Sequence, residues 1–191
     1  MRKLIAAMKI SVDGKYEGAQ GYADWVHGWS DDYGLTPQID ACVLGSRMYD
    51  GYEPYWTAIS DDPDKPLPQT GAAPTRGELE WADFARSTPH YVVSASKSAA
   101  AWSNTRFLRG LDDVAALKSQ PGKDIYLMGG ATLTGAALDA DLVDEIRLIV
   151  YPLIAGTGPS LFGDATVRHP LELRKFEQLP DGRLSYVYDI G

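Results

Sequence analysis

Small, hydroxyl-bearing and basic residues follow four of the apolar segments in this chain, and these residue types together can bind an anion. They stand at residues 11–14 (SVDG), 45–47 (GSR), 94–97 (SASK) and 129–132 (GGAT). Glycine leaves no Cβ in the way of a group that lies on the backbone, and an arginine guanidinium presents donors that match phosphate oxygens. The four segments therefore indicate a site for a phosphate-bearing ligand, provided that the fold brings them together.

The glycine pair Gly129-Gly130 is the most informative of these segments. It ends the apolar segment KDIYLMGG and precedes a segment of helical character that begins at Ala131 or Thr132. A helix N-terminus presents free backbone N–H groups and the positive end of the helix dipole, which suits a pyrophosphate. The same glycines, which permit positive φ, would also fit a tight turn without any ligand. The pair alone leaves both interpretations open.

The order of elements predicts how these segments are positioned. Apolar segments typical of buried strands alternate with segments of helical character, which favours a mainly parallel sheet with helices on both faces. Strands are predicted within residues 2–14, 39–46, 90–96, 105–110, 123–130 and 143–154, and helices within 47–56 (before Pro54), 78–87, 111–122 and 131–141. Ligands of such sheets bind outside the carboxyl ends of the strands, where the four segments stand.

Two further stretches complete a single α/β domain over residues 1–191. The segment 57–77 is rich in Pro, Asp and Gly and is predicted as a long surface loop, either an active-site flap or an insert. The tail, residues 171–190, alternates apolar and polar residues on both sides of Pro-Asp-Gly, which predicts an antiparallel hairpin at one sheet edge.

Composition excludes several classes of function. The net charge of −8 disfavours nucleic acid and anionic membranes as partners, and no apolar segment reaches the length of a membrane-spanning helix. The three histidines show no metal-ligand spacing, and the single cysteine allows no intrachain disulfide, which is consistent with a cytoplasmic protein. The chain contains neither a P-loop motif nor a full G-x-G-x-x-G. The N-terminal apolar segment, interrupted by Lys9, is interpreted as a strand rather than a signal peptide.

Four motifs occur in a fixed order: SVDG (11–14), VLGSRMYDG (43–51), YVVS (91–94) and the block IYLMGGATLTGAALDADLVDEIRLIVYPLIAGTGPSLF (125–162). Together they resemble the dihydrofolate-reductase-like family, and most closely its branch related to the reductase domain of bacterial riboflavin biosynthesis. The likeness spans about residues 2–163, and the tail fits the family's final hairpin by pattern only. It implies a dihydrofolate-reductase-like three-layer α/β/α fold with an antiparallel C-terminal edge strand.

The resemblance also implies a cofactor, NADPH, which family proteins bind extended across the strand ends, and a homodimer. It places residues 45–47 near the cofactor phosphates, two residues near the adenosine 2′-phosphate, and residues 129–133 around the pyrophosphate. The implied cofactor-binding residues are Gly45, Ser46, Arg47, Ser94, Lys97, Gly129, Gly130, Ala131, Thr132 and Leu133.

The expected chemistry is hydride transfer from the nicotinamide to a C=N or C=O group, and the protein must supply a proton path. In folate-reducing members a carboxylate on the first helix serves the substrate. Here Asp31 and Asp32 are the predicted catalytic residues, with Asp24 as a competitor and an ordinary solvated acidic pair as the alternative.

Three residues are predicted to bind the substrate: Asp13, Trp25 and Tyr52. A planar pterin- or pyrimidine-like heterocycle would stack on aromatic side chains, although the aromatic residues between positions 25 and 56 would equally fit a core. The sequence departs from the family in two ways. No arginine matches the one that binds the glutamate tail of folate, and the segment after the first strand lacks the phosphoribosyl-binding pattern of the riboflavin branch.

Two other classes of protein compete with an NADPH-dependent reductase. A non-catalytic NADP(H)-binding sensor or interaction protein of the same fold is favoured by the missing folate arginine. A flavodoxin-like FMN protein shares the alternation of strands and helices, but SVDG stands where its hydroxyl-rich phosphate loop would follow the first strand.

Overall fold

A computed structural model describes residues 1–31, 33–68 and 70–191. Its centre is one eight-stranded sheet in the order β4-β3-β2-β5-β1-β6-β8-β7, in which the first six strands of this order run parallel and β8 pairs antiparallel with both β6 and β7. The strands are β1 (Leu4–Ser11), β2 (Ile39–Gly45), β3 (His90–Val93), β4 (Thr105–Leu108), β5 (Asp124–Leu127), β6 (Glu145–Tyr151), β7 (Leu171–Gln178) and β8 (Leu184–Ile190).

Four helices cover the two faces of this sheet: α1 (Ser46–Asp61), α2 (Arg76–Ser87), α3 (Leu111–Lys118) and α4 (Ala131–Asp139). Alternate residues of β1 point to opposite faces, so Ile5 and Ala7 join the core under α1 and α2, whereas Leu4 and Ala6 join the core under α3 and α4. The three-layer α/β/α architecture predicted from the sequence is confirmed.

Helix α1 is longer than predicted, because it continues past Pro54 to Asp61. The stripe Tyr49, Tyr52, Trp56 and Ile59 is buried along one side of this helix. Burial of one such side chain contributes about 1.5–3 kcal/mol, so the stripe together outweighs the cost of about 3 kcal/mol for an interior proline. The described irregular segment is therefore residues 62–68 and 70–75, shorter than the predicted 57–77.

The C-terminal hairpin is confirmed, with its turn at Pro180–Gly182 and Asp181 at φ +66°. Strand β7 forms a free sheet edge, and all eight of its residues are exposed. An irregularity in its pairing with β8 lies between Leu173 and Lys175. Such a bulge twists an edge strand and, like charged side chains on the edge, opposes pairing with another sheet.

The connections of the sheet reverse direction between β2 and β5. From β2 the chain passes through α1 and α2 on one face to β3, and from β5 it passes through α4 on the other face, across β1, to β6. A crevice forms where neighbouring parallel strands send their connections in opposite directions, and this is the preferred place for a ligand in an open α/β sheet.

Candidate functional site

The four segments noted in the sequence lie along one edge of the sheet. Strands β3, β2, β5 and β1 are consecutive in the sheet and parallel, so residues 94–97, 45–47, 129–132 and 11–14 follow one another in that order at the carboxyl ends. The crevice between β2 and β5 lies in the middle of this row. The tertiary structure thus supplies the convergence on which the anion-site prediction depended.

The α1 side of the crevice is open. Gly45 is the N-cap of α1, and a Cβ at this position would meet no atom within 4 Å. Arg47, in the first turn, is exposed and forms no ion pair within 4 Å with any residue that the structure describes. It is close enough to Glu17 and Tyr16 to oppose the rise that burial causes in the pKa of each. An exposed guanidinium at a helix N-terminus is well suited to a phosphate group.

The α4 side owes its glycines to space rather than to backbone conformation. Gly130 is the N-cap of α4 at φ −70°, a conformation open to any residue. A Cβ at Gly129 would lie 3.0 Å from Thr134 Oγ1, and a Cβ at Gly130 would lie 3.2 Å from the Tyr16 hydroxyl. Neither glycine has positive φ, so of the two properties that the pair offers, it is the missing Cβ that the structure uses to make room for close neighbours.

Tyr16 is a site residue that sequence reasoning missed. Its hydroxyl lies against Gly130 and beside the backbone N–H of Ala131, the first residue of α4, and burial raises the pKa of this phenol. Burial likewise raises the pKa of the neighbouring Glu17 carboxyl, although Arg47 opposes the rise. The only signal in the sequence was their position, between Gly14 and Gly18 directly after SVDG.

Thr132 and Leu133 complete the first turn of α4 and differ in their surroundings. The Thr132 hydroxyl donates a hydrogen bond of 2.7 Å to Asp164 Oδ2, so this side chain is already engaged. Leu133 packs against the core beneath α3 and α4. For both residues the backbone N–H, rather than the side chain, is therefore the group that is left for the predicted contact with the pyrophosphate.

At β3, Ser94 and Lys97 form a compact turn. The Lys97 N–H donates to Ser94 Oγ over 3.0 Å, and Arg109 donates to the carbonyls of Ser94 and Lys97 over 3.0 and 2.9 Å. The Lys97 ammonium pairs with Asp50 and borders a cavity of about 330 Å³ between α1 and residues 99–101. Arg109, which the sequence did not single out, positions this turn.

Asp13 holds a loop instead of facing an open space. Its carboxylate accepts hydrogen bonds from Ser11 Oγ at 2.7 Å and from the amides of Ala155 and Gly156 at 2.9 Å each. These donors, the Ser11 hydroxyl first, lower the pKa of Asp13 to about 2. The arrangement does not support the predicted contact of Asp13 with a substrate.

The predicted catalytic acids receive little support. Asp31 accepts hydrogen bonds from the Leu35 amide at 3.0 Å and from the Thr36 amide and hydroxyl at 2.8 and 2.6 Å. Its carboxylate thus caps a turn. Asp32 lies outside the described residues, so the prediction for it stays a prediction.

Tyr52 belongs to the core. It is 9% exposed, and its hydroxyl accepts from Trp81 Nε1 at 3.0 Å and lies 3.1 Å from His90 Nε2. Trp29 and Trp56 pack in the same cluster. The structure does not support a contact between Tyr52 and substrate, since the stripe of α1 buries this ring.

Trp25 differs from the other aromatic residues. Its indole N–H is the single buried side-chain donor or acceptor without a partner among the described residues. A buried donor left unpaired costs free energy and calls for an explanation. Trp25 borders Gly18, whose Cβ would lie 3.6 Å from the indole ring, close to Tyr16 and Glu17. The observation agrees with the predicted substrate-binding role of Trp25.

The described residues give no support to a metal site, a reactive thiol or a membrane-spanning helix. Within the described ranges no group of three His, Cys, Asp or Glu side chains is arranged to hold a metal ion. Cys42 is fully buried, and burial raises the pKa of its thiol, so it is an inert core residue. None of the helices in the described residues is long and apolar enough to cross a membrane.

Comparison with known proteins identifies the family. The model of the RibD C-terminal domain matches residues 2–184, and the chain belongs to that family. The uncharacterized protein YyaP of Bacillus subtilis is 32% identical over 194 residues, covering 98% of this chain and 94% of YyaP. A second uncharacterized B. subtilis protein, YwjB, is 25% identical and covers 97% of this chain and 98% of its own length.

Solved structures share the fold. A Shewanella sp. PV-4 protein provisionally assigned to riboflavin biosynthesis matches with a TM-score of 0.70 at 21% identity, covering 99% of both chains. A deaminase/5-amino-6-(5-phosphoribosylamino)uracil reductase of Thermotoga maritima matches with a TM-score of 0.61 at 16% identity, and this chain covers 57% of it. The dihydrofolate-reductase-like fold and the riboflavin-type branch are thereby confirmed, and the family supports a reductase-type function.

Proposed function

We propose that this protein is an NADPH-dependent reductase that transfers a hydride to a small heterocyclic or carbonyl substrate. The observation that carries the proposal is the convergence of two helix N-termini, those of α1 and α4, on the crevice between β2 and β5 with the exposed Arg47 beside them. Free amides and a guanidinium supply local donors for a phosphorylated coenzyme in a protein whose net charge is −8. The family's general use of NADPH agrees with this donor set.

The chain offers separate residues for each part of the coenzyme. The amides of residues 129–133 and Arg47 would hold the pyrophosphate. Lys97 and Ser94, at the end of β3, would hold the adenosine 2′-phosphate once Lys97 exchanges Asp50 for the phosphate. When bound, the nicotinamide supplies the hydride. The chain's own work is to orient the ring, exclude water and deliver a proton.

The substrate side of the proposal relies on Trp25. An unpaired indole N–H beside Gly18, which closely follows the Tyr16 that lies against Gly130, would donate to a carbonyl or ring nitrogen of a substrate. A pyrimidine-like ring carries such acceptors, and the Thermotoga maritima structural relative is named for reduction of a uracil compound. We therefore place a pyrimidine- or pterin-like heterocycle ahead of a simple carbonyl compound. A cytoplasmic location remains part of the proposal.

The test compares two arginine variants. Arg47→Ala should weaken NADPH binding by about tenfold or more, because a hydrogen bond to a charged group is lost. Arg76→Ala is the matched control, since Arg76 is exposed at the start of α2 and, among the described residues, its one ion pair is with Glu80 at 2.7 Å. Calorimetric titration with NADPH measures the affinity of both variants and of the wild-type protein. Equal affinities for the two variants, or no binding to the wild-type protein at millimolar NADPH, would contradict the proposal.

A non-catalytic NADP(H)-binding protein is the second candidate, and one observation favours it. The described acid nearest the expected catalytic position, Asp31, is saturated by three donors of its own turn. NADPH oxidation followed by absorbance over a panel of pterins and pyrimidines separates the candidates. Turnover with any panel member supports the reductase, whereas tight binding with a silent panel supports the sensor.

A further inference from the structure

The segment of residues 14–18 (GKYEG), here called the strap, touches both sides of the proposed coenzyme crevice. On the α4 side, the Tyr16 hydroxyl lies against Gly130, 3.2 Å from where a Cβ would stand, and beside the N–H of Ala131. On the α1 side, the Glu17 carboxyl is close enough to Arg47 for the guanidinium to act on its charge. Two adjacent side chains of the strap therefore stand beside the amide and near the cation that would meet a phosphate.

The strap is fixed in this position by backbone contacts with residues 158–161. Lys15 forms an antiparallel bridge with Ser160, and its ammonium donates to Ser160 Oγ at 2.9 Å. The Leu161 amide donates to the Gly14 carbonyl at 2.9 Å. Gly158, at φ +108°, approaches the strap so closely that a Cβ there would lie 2.0 Å from the Glu17 carbonyl oxygen. Only glycine permits this approach, so the position of the strap is built into the fold.

The atoms that the strap presents have the chemistry of the expected ligand. A phenol oxygen accepts a hydrogen bond from a helix N-terminus as a phosphate oxygen would, and a carboxylate near a guanidinium supplies the opposite charge. Asp164, which accepts from Thr132 Oγ1 at 2.7 Å, adds a second carboxylate near Tyr16. A bound phosphate would face both carboxylates unless the strap moved.

We infer that the strap closes the coenzyme site of the ligand-free protein, with Tyr16 and Glu17 as internal substitutes for phosphate oxygens that an entering coenzyme must displace. The inference rests on the proposed function and adds to it a regulatory contact. Coenzyme affinity is then set by the exchange of Tyr16 and Glu17 for phosphate as well as by the contacts of the bound state. A change that weakens the strap should strengthen binding, the opposite of what the loss of a binding residue does.

The experiment measures the affinity for NADP⁺ by calorimetry in the wild-type protein and in Tyr16→Phe, Glu17→Gln and the double variant. Each single variant should bind about threefold to tenfold more tightly, and the two gains should multiply. Tyr22→Phe and Glu172→Gln remove the same groups at exposed positions outside the strap and should leave the affinity unchanged. Amide hydrogen exchange without ligand should be faster at Ala131 in Tyr16→Phe.

The outcomes separate the inference from the proposed function. If the wild-type protein and every variant fail to bind NADP⁺, both are wrong. If the wild-type protein binds and the variants bind equally well, the strap does not restrict access. Weaker binding by Tyr16→Phe would show that Tyr16 is a coenzyme contact in the bound state and would overturn the inference. If the variants bind NADP⁺ and the wild-type protein does not, the inference and the proposed function are both supported.

Discussion

At the scale of single residues, several polar side chains of the crevice edge serve the backbone before they serve a ligand. Asp13 holds residues 155–156, Asp31 caps a turn, and Ser94 accepts the amide of Lys97. Arg47 and the indole of Trp25 are the exceptions, since among the described residues Arg47 forms no ion pair within 4 Å and the indole N–H has no hydrogen-bond partner. These two are therefore the side chains from which the largest effects on ligand binding are expected.

Asp13→Asn tests the role of the loop anchor. The amide oxygen of Asn accepts hydrogen bonds less well than a carboxylate, and its NH₂ group cannot accept from the amides of Ala155 and Gly156. We expect amide hydrogen exchange at residues 155–156 to rise by roughly threefold or more. Since the folded pKa of Asp13 lies at about 2, below its ordinary value of 3.8, the contact persists at neutral pH and is lost only as the pH falls through that range.

Unchanged exchange at residues 155–156 in Asp13→Asn would contradict the anchoring role. The matched control is Asp181→Asn, on the far hairpin turn, which should leave exchange at these two residues as it is in the wild-type protein.

Trp25→Phe tests the unpaired donor. The variant retains an aromatic ring and loses only the indole N–H and its fused ring, so the Michaelis constant for the substrate should rise severalfold while NADPH affinity stays constant. Trp29→Phe, within the packed cluster, is the contrasting variant and should reduce stability instead. An unchanged Michaelis constant for Trp25→Phe would remove Trp25 from the substrate site.

At the scale of elements, two features of the α1 layer have measurable consequences. Pro54 lies inside α1 on its exposed side and lacks the N–H that would bond to the carbonyl of Asp50. His90, on β3, is buried between Tyr52 and the Thr88 carbonyl, with ring nitrogen distances of 3.1 and 2.8 Å. Pro54 affects the hydrogen bonding and geometry of α1, and His90 makes the stability of the core depend on pH.

Pro54→Ala should stabilise the protein by about 1–2 kcal/mol, because the helix regains a hydrogen bond and a residue of high helix propensity. Pro54→Gly restores the N–H without the propensity and should give a smaller gain, lower by about 1 kcal/mol. Urea unfolding measures the free energy of unfolding of both variants. A destabilised Pro54→Ala would show that the proline is needed for the shape of α1.

The stability should fall on mild acidification because of His90. Burial is the main cause that lowers its pKa from 6.5 to about 4, while the Thr88 carbonyl and Glu53 oppose the shift. The unfolded state binds a proton below pH 6.5 that the folded state does not bind until about pH 4, so stability is complete above pH 6.5 and declines below it. The full loss amounts to about 3 kcal/mol, of which about 2 kcal/mol appears by pH 5.

Urea unfolding at pH 7.5 and pH 5 checks this value. His90→Gln should lose most of the pH dependence between these points, whereas His27→Gln, at an exposed position, should retain it. If the free energy of unfolding fell equally between pH 7.5 and pH 5 in the two variants, the acid sensitivity would belong to groups other than His90.

At the scale of the whole molecule, one face of the C-terminal hairpin is apolar and uncovered. It lies on the α4 side of the sheet and consists of Leu171, Leu173, Phe176, Tyr186, Tyr188 and Ile190. Leu173 and Phe176 are each 53% exposed, and Tyr186 stacks on Tyr188 and contacts Phe176 in a tilted arrangement. A contiguous apolar surface of this kind marks a site of association.

We propose that a second copy of the chain covers this face. The face carries no charged side chain, so two copies related by a two-fold axis would bring no like charges together in a protein of net charge −8. The bulge and the charged residues Arg174 and Lys175 oppose pairing through the strand edge. Two copies would therefore associate through the apolar face and not through the edge of β7. Light scattering should give about twice the chain mass of 20.8 kDa.

Phe176→Glu should shift the protein to monomers, because two charges would be buried at the contact. Ile154→Glu, at a 77% exposed position beyond the end of β6, should leave the mass unchanged. A wild-type protein that is monomeric at micromolar concentration would refute the proposal.

The sequence by itself determined the sheet, the helices and the edge that carries the site. Strand and helix patterns are local, and the alternation of apolar strands with helices leaves few topologies for a parallel sheet. The glycine pair and GSR could therefore be assigned to strand ends on one edge of the sheet before any contact was known. Helix α1 was cut short in the prediction because the cost of Pro54 is local, whereas the burial that outweighs it is not.

Only the tertiary structure decided which site residues are free. Whether a carboxylate serves a ligand or the backbone depends on donors far away in sequence, as Asp13 and Ala155 show across 142 positions. The same holds for Tyr16, whose contact with Ala131 joins segments that the sequence does not relate. Residue types and spacing state what a side chain is able to bind, and packing determines whether that capacity is already used.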